Sequence, residues 1–150
     1  MAYHGKFYPK NPAKYKGNIS NIEYRSLWEK GFMKYCDDNP SIVRWNSEEV
    51  IIPYRSTADQ GKLRRYFVDF WVKYQTGDEI IIEIKPFKET QPPAKPARLT
   101  EQAKRRIVQE LYTWQVNQDK WKAAMDAAQQ KGWRFVVLTE KTLPRFGIKC

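Results

Sequence analysis

The spacing of apolar and polar positions in the first third of the chain predicts one helix followed by two strands. Apolar side chains recur at helical spacing from about residue 20 to 37, after the capping pattern that Ser20 and Glu23 form three positions apart. Two short apolar runs follow, from Ile42 to Trp45 and from Val50 to Tyr54, and the polar residues between them are typical of a turn.

The clearest strand pattern is an alternation of apolar and polar side chains from Arg65 to Tyr74. Gly77 and Asp78 then supply a turn, and the run from residue 79 to 85 returns as a second strand. Pro86 ends that strand, and further prolines predict an extended loop up to about residue 98.

The last third predicts two helices and a final strand. Thr100 caps the first helix, Asn117 starts the second, and Gly132 ends it. Residues 133–139 contain a continuous apolar run, which is typical of a strand buried on both faces. The order α-β-β-β-β-α-α-β predicts an α/β fold in which helices flank a mixed β-sheet.

The chain is predicted to divide at residue 17. Residues 1–17 interleave lysines with aromatic residues, prolines and glycines and lack a regular period, so we expect a flexible basic and aromatic arm. Residues 18–150 are then expected to form a single domain. The arm is either a docking element or simply a poorly ordered terminus.

The charge of the chain favours a polyanionic partner. The sequence has 27 Lys and Arg against 17 Asp and Glu, a formal net charge of +10, which suits DNA phosphates. Charge alone does not separate a nuclease from a non-catalytic binder. The two cysteines give neither a metal-ligand spacing nor a disulfide framework, and no apolar stretch approaches the roughly 18 residues of a membrane span, so we expect a soluble protein without a signal peptide.

Three residues of the predicted hairpin form a candidate catalytic site. Glu83 and Lys85 project from the same strand face about 7 Å apart, although a solvated hairpin gives the same pattern. Asp69 lies within an apolar segment, where a charge is costly unless it binds a metal or pairs with a neighbour such as Arg64 or Lys73. The hairpin brings Asp69 beside Glu83 if its connection has odd length or contains a bulge.

Two carboxylates and a lysine match what phosphodiester hydrolysis needs. We expect Asp69 and Glu83 to bind a hard divalent cation, Mg²⁺ with Mn²⁺ as a substitute, with the backbone carbonyl of Ile84 as a third ligand. Lys85 would orient or deprotonate the attacking water and stabilise transition-state charge. Glu23 has two interpretations, a helix cap or a further catalytic acid that reaches the strand face carrying Asp69.

Basic residues near the predicted hairpin and on the following helix are candidates for DNA binding, with an ordinary solvated surface as the alternative. They are Arg64, Arg65, Lys104, Arg105 and Arg106.

The residues Glu23, Phe67-Val68-Asp69 and Glu83-Ile84-Lys85-Pro86, in this order, resemble the PD-(D/E)XK nuclease superfamily in its transposase TnsA-like branch. The resemblance implies a restriction-endonuclease-like core and metal-dependent cleavage of DNA by Asp69, Glu83 and Lys85. It also implies that Glu23 is the helical acid of the family. Val68 stands where the family name has proline, a position that supplies no ligand.

The resemblance extends over nearly the whole chain to phage nucleases of this branch. It implies processing of packaged viral DNA before tails join filled heads, with DNA and phage head or other head completion proteins as partners. The expected location is the virion and the host cytoplasm. Two alternatives remain: a non-catalytic DNA-binding protein that joins head and tail, and the cleavage subunit of a transposition complex.

Overall fold

The computed structural model describes residues 3–150, which form eight strands and two α-helices. The helices are α1 (Leu27–Asp38) and α2 (Glu101–Lys131). The strands are β1 (Gly5–Lys6), β2 (Glu23–Tyr24), β3 (Ile42–Ser47), β4 (Ile51–Ser56), β5 (Lys62–Phe67), β6 (Phe70–Tyr74), β7 (Glu79–Ile84) and β8 (Arg134–Leu138).

The central sheet has four strands in the order β3-β6-β7-β8. The first two pairings are antiparallel, whereas β7 and β8 are parallel. A parallel pair needs a long crossover, which α2 supplies here. The mixed sheet flanked by helices that the sequence predicts is therefore confirmed.

The two faces of the sheet pack on different helices. On one face, Phe32 of α1 contacts a core that includes Phe70 and Val72. On the other face, Trp121 and Ala124 of α2 pack with Ile81 and other residues. Isoleucines of β7 point alternately into both cores, because successive strand side chains face opposite ways.

Strands β4 and β5 form a hairpin that continues the β3–β6 pair beyond a bend. Ser47 pairs with Phe70 before the bend and Ile51 with Phe67 after it, so residues 48–50 lie opposite only residues 68 and 69. This extra residue is a β-bulge, and Glu48 within it has a positive φ of 56°. The prediction of one continuous strand from Arg65 to Tyr74 is therefore wrong.

Helix α1 begins later than the sequence suggests. Ser26 caps it by accepting a hydrogen bond from the backbone N–H of Glu29, and Ser26 Oγ lies 3.3 Å from the carboxylate of Glu29. Glu23 lies instead in β2, which pairs with β1. The predicted start at residue 20 is wrong because backbone pairing with the N-terminal segment holds residues 23 and 24 extended.

Helix α2 is continuous where two helices were predicted. Thr100 caps its start, and Gly132, with a φ of 73°, ends it, as predicted. Asn117 is buried within the helix. Since no Pro or Gly interrupts residues 101–131, nothing in the backbone forces a break.

The N-terminal segment packs against the domain. Tyr15 is buried in the α1-side core, and the ammonium of Lys14 donates to the backbone carbonyls of Cys36, Asp37 and Asn39 at distances of 2.7, 3.0 and 2.8 Å. The prediction of a flexible arm is therefore wrong for this segment, and residue 17 is not a boundary between arm and domain. Within residues 3–150, neither helix is long and apolar enough to cross a membrane.

The contacts of Lys14 give a test of this packing. Lys14→Met removes the donor for three carbonyls at the end of α1, so it should lower the free energy of unfolding by about 1 to 3 kcal/mol. Urea unfolding measures the change. Lys10→Met is the control, since the side chain of Lys10 is exposed. Equal stabilities for both variants would show that the segment does not brace α1.

Candidate active site

Asp69 lies at the bend, between β5 and β6. The backbone N–H of Glu48 donates to the carbonyl of Asp69, and that of Val68 donates to Val50, so the chain is held on both sides of the bulge. The side chain of Asp69 turns towards β7, where its Oδ2 accepts a hydrogen bond of 2.8 Å from the N–H of Ile84. The bend thus directs one carboxylate to the end of a neighbouring strand.

Glu83 stands beside Asp69 in the sheet. Phe70 pairs with Ile82, so one step further in this antiparallel register Asp69 lies opposite Glu83. The connection between the strands has odd length, because Tyr74 N–H donates to the carbonyl of Asp78 across the three residues 75–77. The expectation that the hairpin brings the two acids to a common face is therefore confirmed.

Glu83 is buried, with 6% of its surface exposed. Its Oε1 accepts a hydrogen bond of 2.8 Å from the hydroxyl of Tyr66 on β5. Its Oε2 lies 3.9 Å from the ammonium of Lys85. Each carboxylate oxygen of Glu83 therefore has its own positive or hydrogen-bonding neighbour, which fixes the orientation of the group.

Lys120 adds a second ammonium from α2. Its Nζ lies 5.4 Å from the centre of the Tyr66 ring, and its charge and that of Lys85 both favour the ionised form of Glu83. Burial lowers the pKa of Lys120, while the carboxylates of Glu83 and Asp69 act in the opposite direction. Two carboxylates and two lysines thus converge from the bend between β5 and β6, from β7, from the segment after β7, and from α2.

Burial makes this group of charges expensive. It raises the pKa of Asp69 well above its ordinary value, and the charge of Glu83 raises it further, against the hydrogen bond from Ile84. Burial also raises the pKa of Glu83, although Tyr66 and the two lysines oppose the rise. The pKa of Tyr66 is raised by burial and by Glu83, so its hydroxyl stays a neutral donor. A bound cation would relieve the repulsion between the carboxylates.

The donor set suits Mg²⁺. In residues 3–150, no cluster of three or more His, Cys, Asp or Glu side chains is arranged to hold a metal ion. Mg²⁺ does not need one, because it uses one or two carboxylates and keeps several waters. Asp69 and Glu83 are such a pair, and they open into a cleft of about 640 Å³.

Two acids from the N-terminal third lie near this cleft. Glu23 lines the cleft, but it lies in β2 and its side chain is exposed. It is therefore not in a helix, contrary to the role of helical acid that the resemblance implies. Glu29 is the acid in the first turn of α1, and its charge contributes to the raised pKa of Asp69. Both follow a serine by three residues, so the capping pattern alone could not choose between them.

The structure separates the five predicted DNA-binding residues. Arg65 lines the cleft. Arg64 is paired with Asp59 at 3.1 Å on the opposite side of β5. The three helical residues lie on the N-terminal part of α2, away from the cleft lining, and two of them form ion pairs within the helix. These three are Lys104, Arg105 and Arg106.

Tyr66 and Lys120 are site residues that the sequence pattern does not reveal. Tyr66 belongs to the alternating segment from Arg65 to Tyr74, and the sequence gives no sign that its hydroxyl would meet Glu83. Lys120 is separated from Glu83 by 36 intervening residues, and only the packing of α2 on the sheet brings it near.

Comparison with known proteins places the chain. The family model described as TnsA-like endonuclease N terminal matches residues 39–140. The chain belongs to this endonuclease family. The matched range contains Asp69, Glu83, Lys85 and Lys120, whereas Glu23 and Glu29 lie before it. The resemblance to the TnsA-like branch that the sequence motifs indicated is confirmed.

A relative of this TnsA-like endonuclease spans the whole chain. The protein named Head completion nuclease of Enterobacteria phage T4 is 54% identical over 149 residues, which cover 99% of this chain and 99% of that protein. The similarity therefore includes the N-terminal segment and α1 as well as the sheet.

The repulsion between the two carboxylates predicts that they lower the free energy of unfolding of the metal-free protein at neutral pH. The pKa of each acid is higher in the folded than in the unfolded state, so the folded protein binds more protons and loses stability as the pH rises above about 4. Asp69→Asn and Glu83→Gln lack this penalty. In EDTA they should be more stable than the parent at neutral pH, with the difference shrinking towards pH 4.

Urea unfolding in EDTA at a series of pH values measures this effect. Asp78→Asn is the matched control, because its carboxylate is exposed at the far end of the β6–β7 hairpin. A parent protein that is as stable as both variants at neutral pH would contradict the repulsion.

Proposed function

We propose that this protein is a Mg²⁺-dependent endonuclease of the PD-(D/E)XK type that hydrolyses phosphodiester bonds of DNA. The observation that carries the proposal is the placement of Asp69 opposite Glu83, with Lys85 beside them, at an open cleft. The net charge of +10 supports a polyanionic substrate. Membership of an endonuclease family supports the reaction.

Asp69 and Glu83 would hold the ion, with the backbone carbonyl of Ile84 as a third ligand, and Mn²⁺ would substitute for Mg²⁺. When bound, the ion supplies Lewis-acid stabilisation of the negative charge that develops on the phosphoryl oxygens. The raised pKa values of the two acids support this assignment, because a cation compensates the charges that burial and mutual repulsion disfavour.

The other side chains have distinct parts in the hydrolysis. In the reaction a water oxygen bonds to phosphorus and gives up a proton to solvent, one P–O ester bond breaks, and the leaving oxygen takes up a proton. Lys85 donates to the attacking water or to a phosphoryl oxygen, since its ammonium has donors only. Lys120 adds positive charge to the same cleft. Tyr66 holds Oε1 of Glu83 and so fixes its carboxylate. Glu23 would be a further acid at the cleft.

We further propose that the substrate is packaged viral DNA and that cleavage serves phage head completion. The support is the name of the T4 relative, Head completion nuclease, together with the 99% coverage of both chains. DNA and phage head or other head completion proteins would be the partners, in the virion and the host cytoplasm.

The two acids and Lys85 should be essential for cleavage and dispensable for binding. Asp69→Asn, Glu83→Gln and Lys85→Met should each abolish cutting of DNA in Mg²⁺, because each removes a ligand or a charge at the reacting phosphate. Binding in Ca²⁺ should persist, since most non-specific affinity comes from phosphate contacts elsewhere. Nicking assays and equilibrium binding measure the two properties separately.

Asp78→Asn again serves as the control and should cut at the parental rate. Glu23→Gln in the same assay tests whether Glu23 takes part, and a lower rate at unchanged affinity is expected. If the parent cuts and all three principal variants cut equally well, the site assignment is wrong. If the parent itself does not cut DNA, the non-catalytic binding alternative replaces the proposal.

Lys120 should affect turnover more than affinity. Lys120→Met keeps a side chain of similar length next to the Tyr66 ring but removes the charge, so the maximal cleavage rate should fall by about 10²-fold. Lys120→Arg should restore part of the loss, which a purely structural role would not explain. Single-turnover rates at saturating DNA measure the effect. Lys122→Met, exposed on the same helix, is the control. Parental rates for Lys120→Met would remove it from the mechanism.

A further inference from the structure

The outer face of the β4–β5 hairpin has an unusual composition. Three side chains from each strand alternate onto it, and α2 covers the opposite face. Large apolar groups are exposed there, with 46% of Ile51, 59% of Leu63 and 41% of Phe67 accessible. The full set comprises Ile51, Pro53 and Arg55 from β4, paired with Phe67, Arg65 and Leu63 from β5.

The charges on this face have one sign. Arg55 and Arg65 are exposed on it, and Arg55 donates to the carbonyl of Gly61 near the tip of the hairpin. The acids in and near the hairpin have other partners. Asp59 accepts from Ser56, Arg64 and Tyr112, Glu48 pairs with Arg25, and Glu49 accepts from Tyr15 and Asn18. The outer face therefore suits an anionic partner.

The same face continues into the proposed catalytic cleft. Arg65 and Phe67 line that cleft, and the guanidinium of Arg65 lies 5.4 Å from the centre of the Phe67 ring. DNA that brings a phosphate to Asp69 can therefore contact these two side chains. Arg55 lies four residues beyond Ile51 on β4, about 13 Å further along the hairpin.

The hairpin is held firmly enough to present a surface. The hydroxyl of Tyr112 on α2 donates to the carboxylate of Asp59 at 2.8 Å. The carboxylate of Asp119 accepts from both the N–H and the hydroxyl of Thr57, each at 2.8 Å. Because these contacts tie the tip to α2, the outer face is presented without an ordering cost at that end.

We propose that the outer face of the β4–β5 hairpin is a docking surface for duplex DNA that flanks the catalytic cleft. The inference rests on the proposed nuclease function and adds where the duplex lies. A two-stranded ribbon fits the major groove, which is about 12 Å wide. Arg55 and Arg65 contact phosphates, while Leu63 and Phe67 contact sugars and base edges. A protein partner is the competing occupant, and the charge and the shared cleft wall favour DNA.

Arg55→Gln and Leu63→Ser test the surface at its far end from the cleft. With a duplex of about 30 base pairs, or three turns of about 10 base pairs each, binding is measured in Ca²⁺ over a range of salt concentrations. Arg55→Gln should weaken binding and reduce the slope of log K against log salt by about 1, the loss of one phosphate contact. Leu63→Ser should weaken binding with an unchanged slope. The DNA concentration for half-maximal cleavage in Mg²⁺ should rise with Kd.

Arg145→Gln is the matched control, because Arg145 is exposed beside the α1-side core rather than on the hairpin. It should retain the parental affinity and slope. Urea unfolding of each variant confirms that the fold is kept. If Arg55→Gln and Leu63→Ser both bind like the parent, the inference is overturned and the face is assigned to a protein partner. If the parent does not cut but both variants lose affinity, the docking surface stands and the nuclease proposal fails.

Discussion

One extra residue in a pair of strands determines where the chemistry of this protein lies. Residues 48–50 oppose only residues 68 and 69, so the β4–β5 hairpin bends away from the central sheet. The bend places Asp69 immediately before β6, beside Glu83, and turns Tyr66 of the preceding strand towards the carboxylate of Glu83. A straight ribbon would direct Tyr66 and Phe70 to the same face and would lose this arrangement.

The electrostatics of the site follow from that geometry. Two acids with raised pKa values lie between two lysines from different elements, so the metal-free site retains unfavourable charge. Raised pKa values of this kind are typical of functional sites, and under the proposed function a cation and the substrate would relieve the repulsion. In contrast to the two carboxylates of the site, the protein as a whole has a net charge of +10, which attracts a polyanion such as DNA. Catalysis and affinity are thereby assigned to different residues.

The packing around the sheet supports this division of roles. Contacts of Lys14 and Tyr15 hold the N-terminal segment against α1 and β3. The segment is therefore part of the folded domain that contains the cleft. Helix α2 contributes Lys120 to the site and also braces the tip of the hairpin through Tyr112. Elements distant in sequence therefore support both the central sheet and the tip of the β4–β5 hairpin.

The sequence alone determined the fold class and the β6–β7 hairpin, because these depend on strand alternation and a short local turn. It predicted that Asp69 meets Glu83 only on the condition that the connection has odd length or contains a bulge, and the structure supplied that condition. It did not determine the start of α1, where two identical capping patterns compete and β-pairing with distant residues decides. Nor did it reveal the bulge that breaks the strand before Asp69, or the approach of Lys120. Local propensity does not determine which way the side chains point after a bulge. Nor does it determine which residue of α2 lies near Glu83, and tertiary packing decides both.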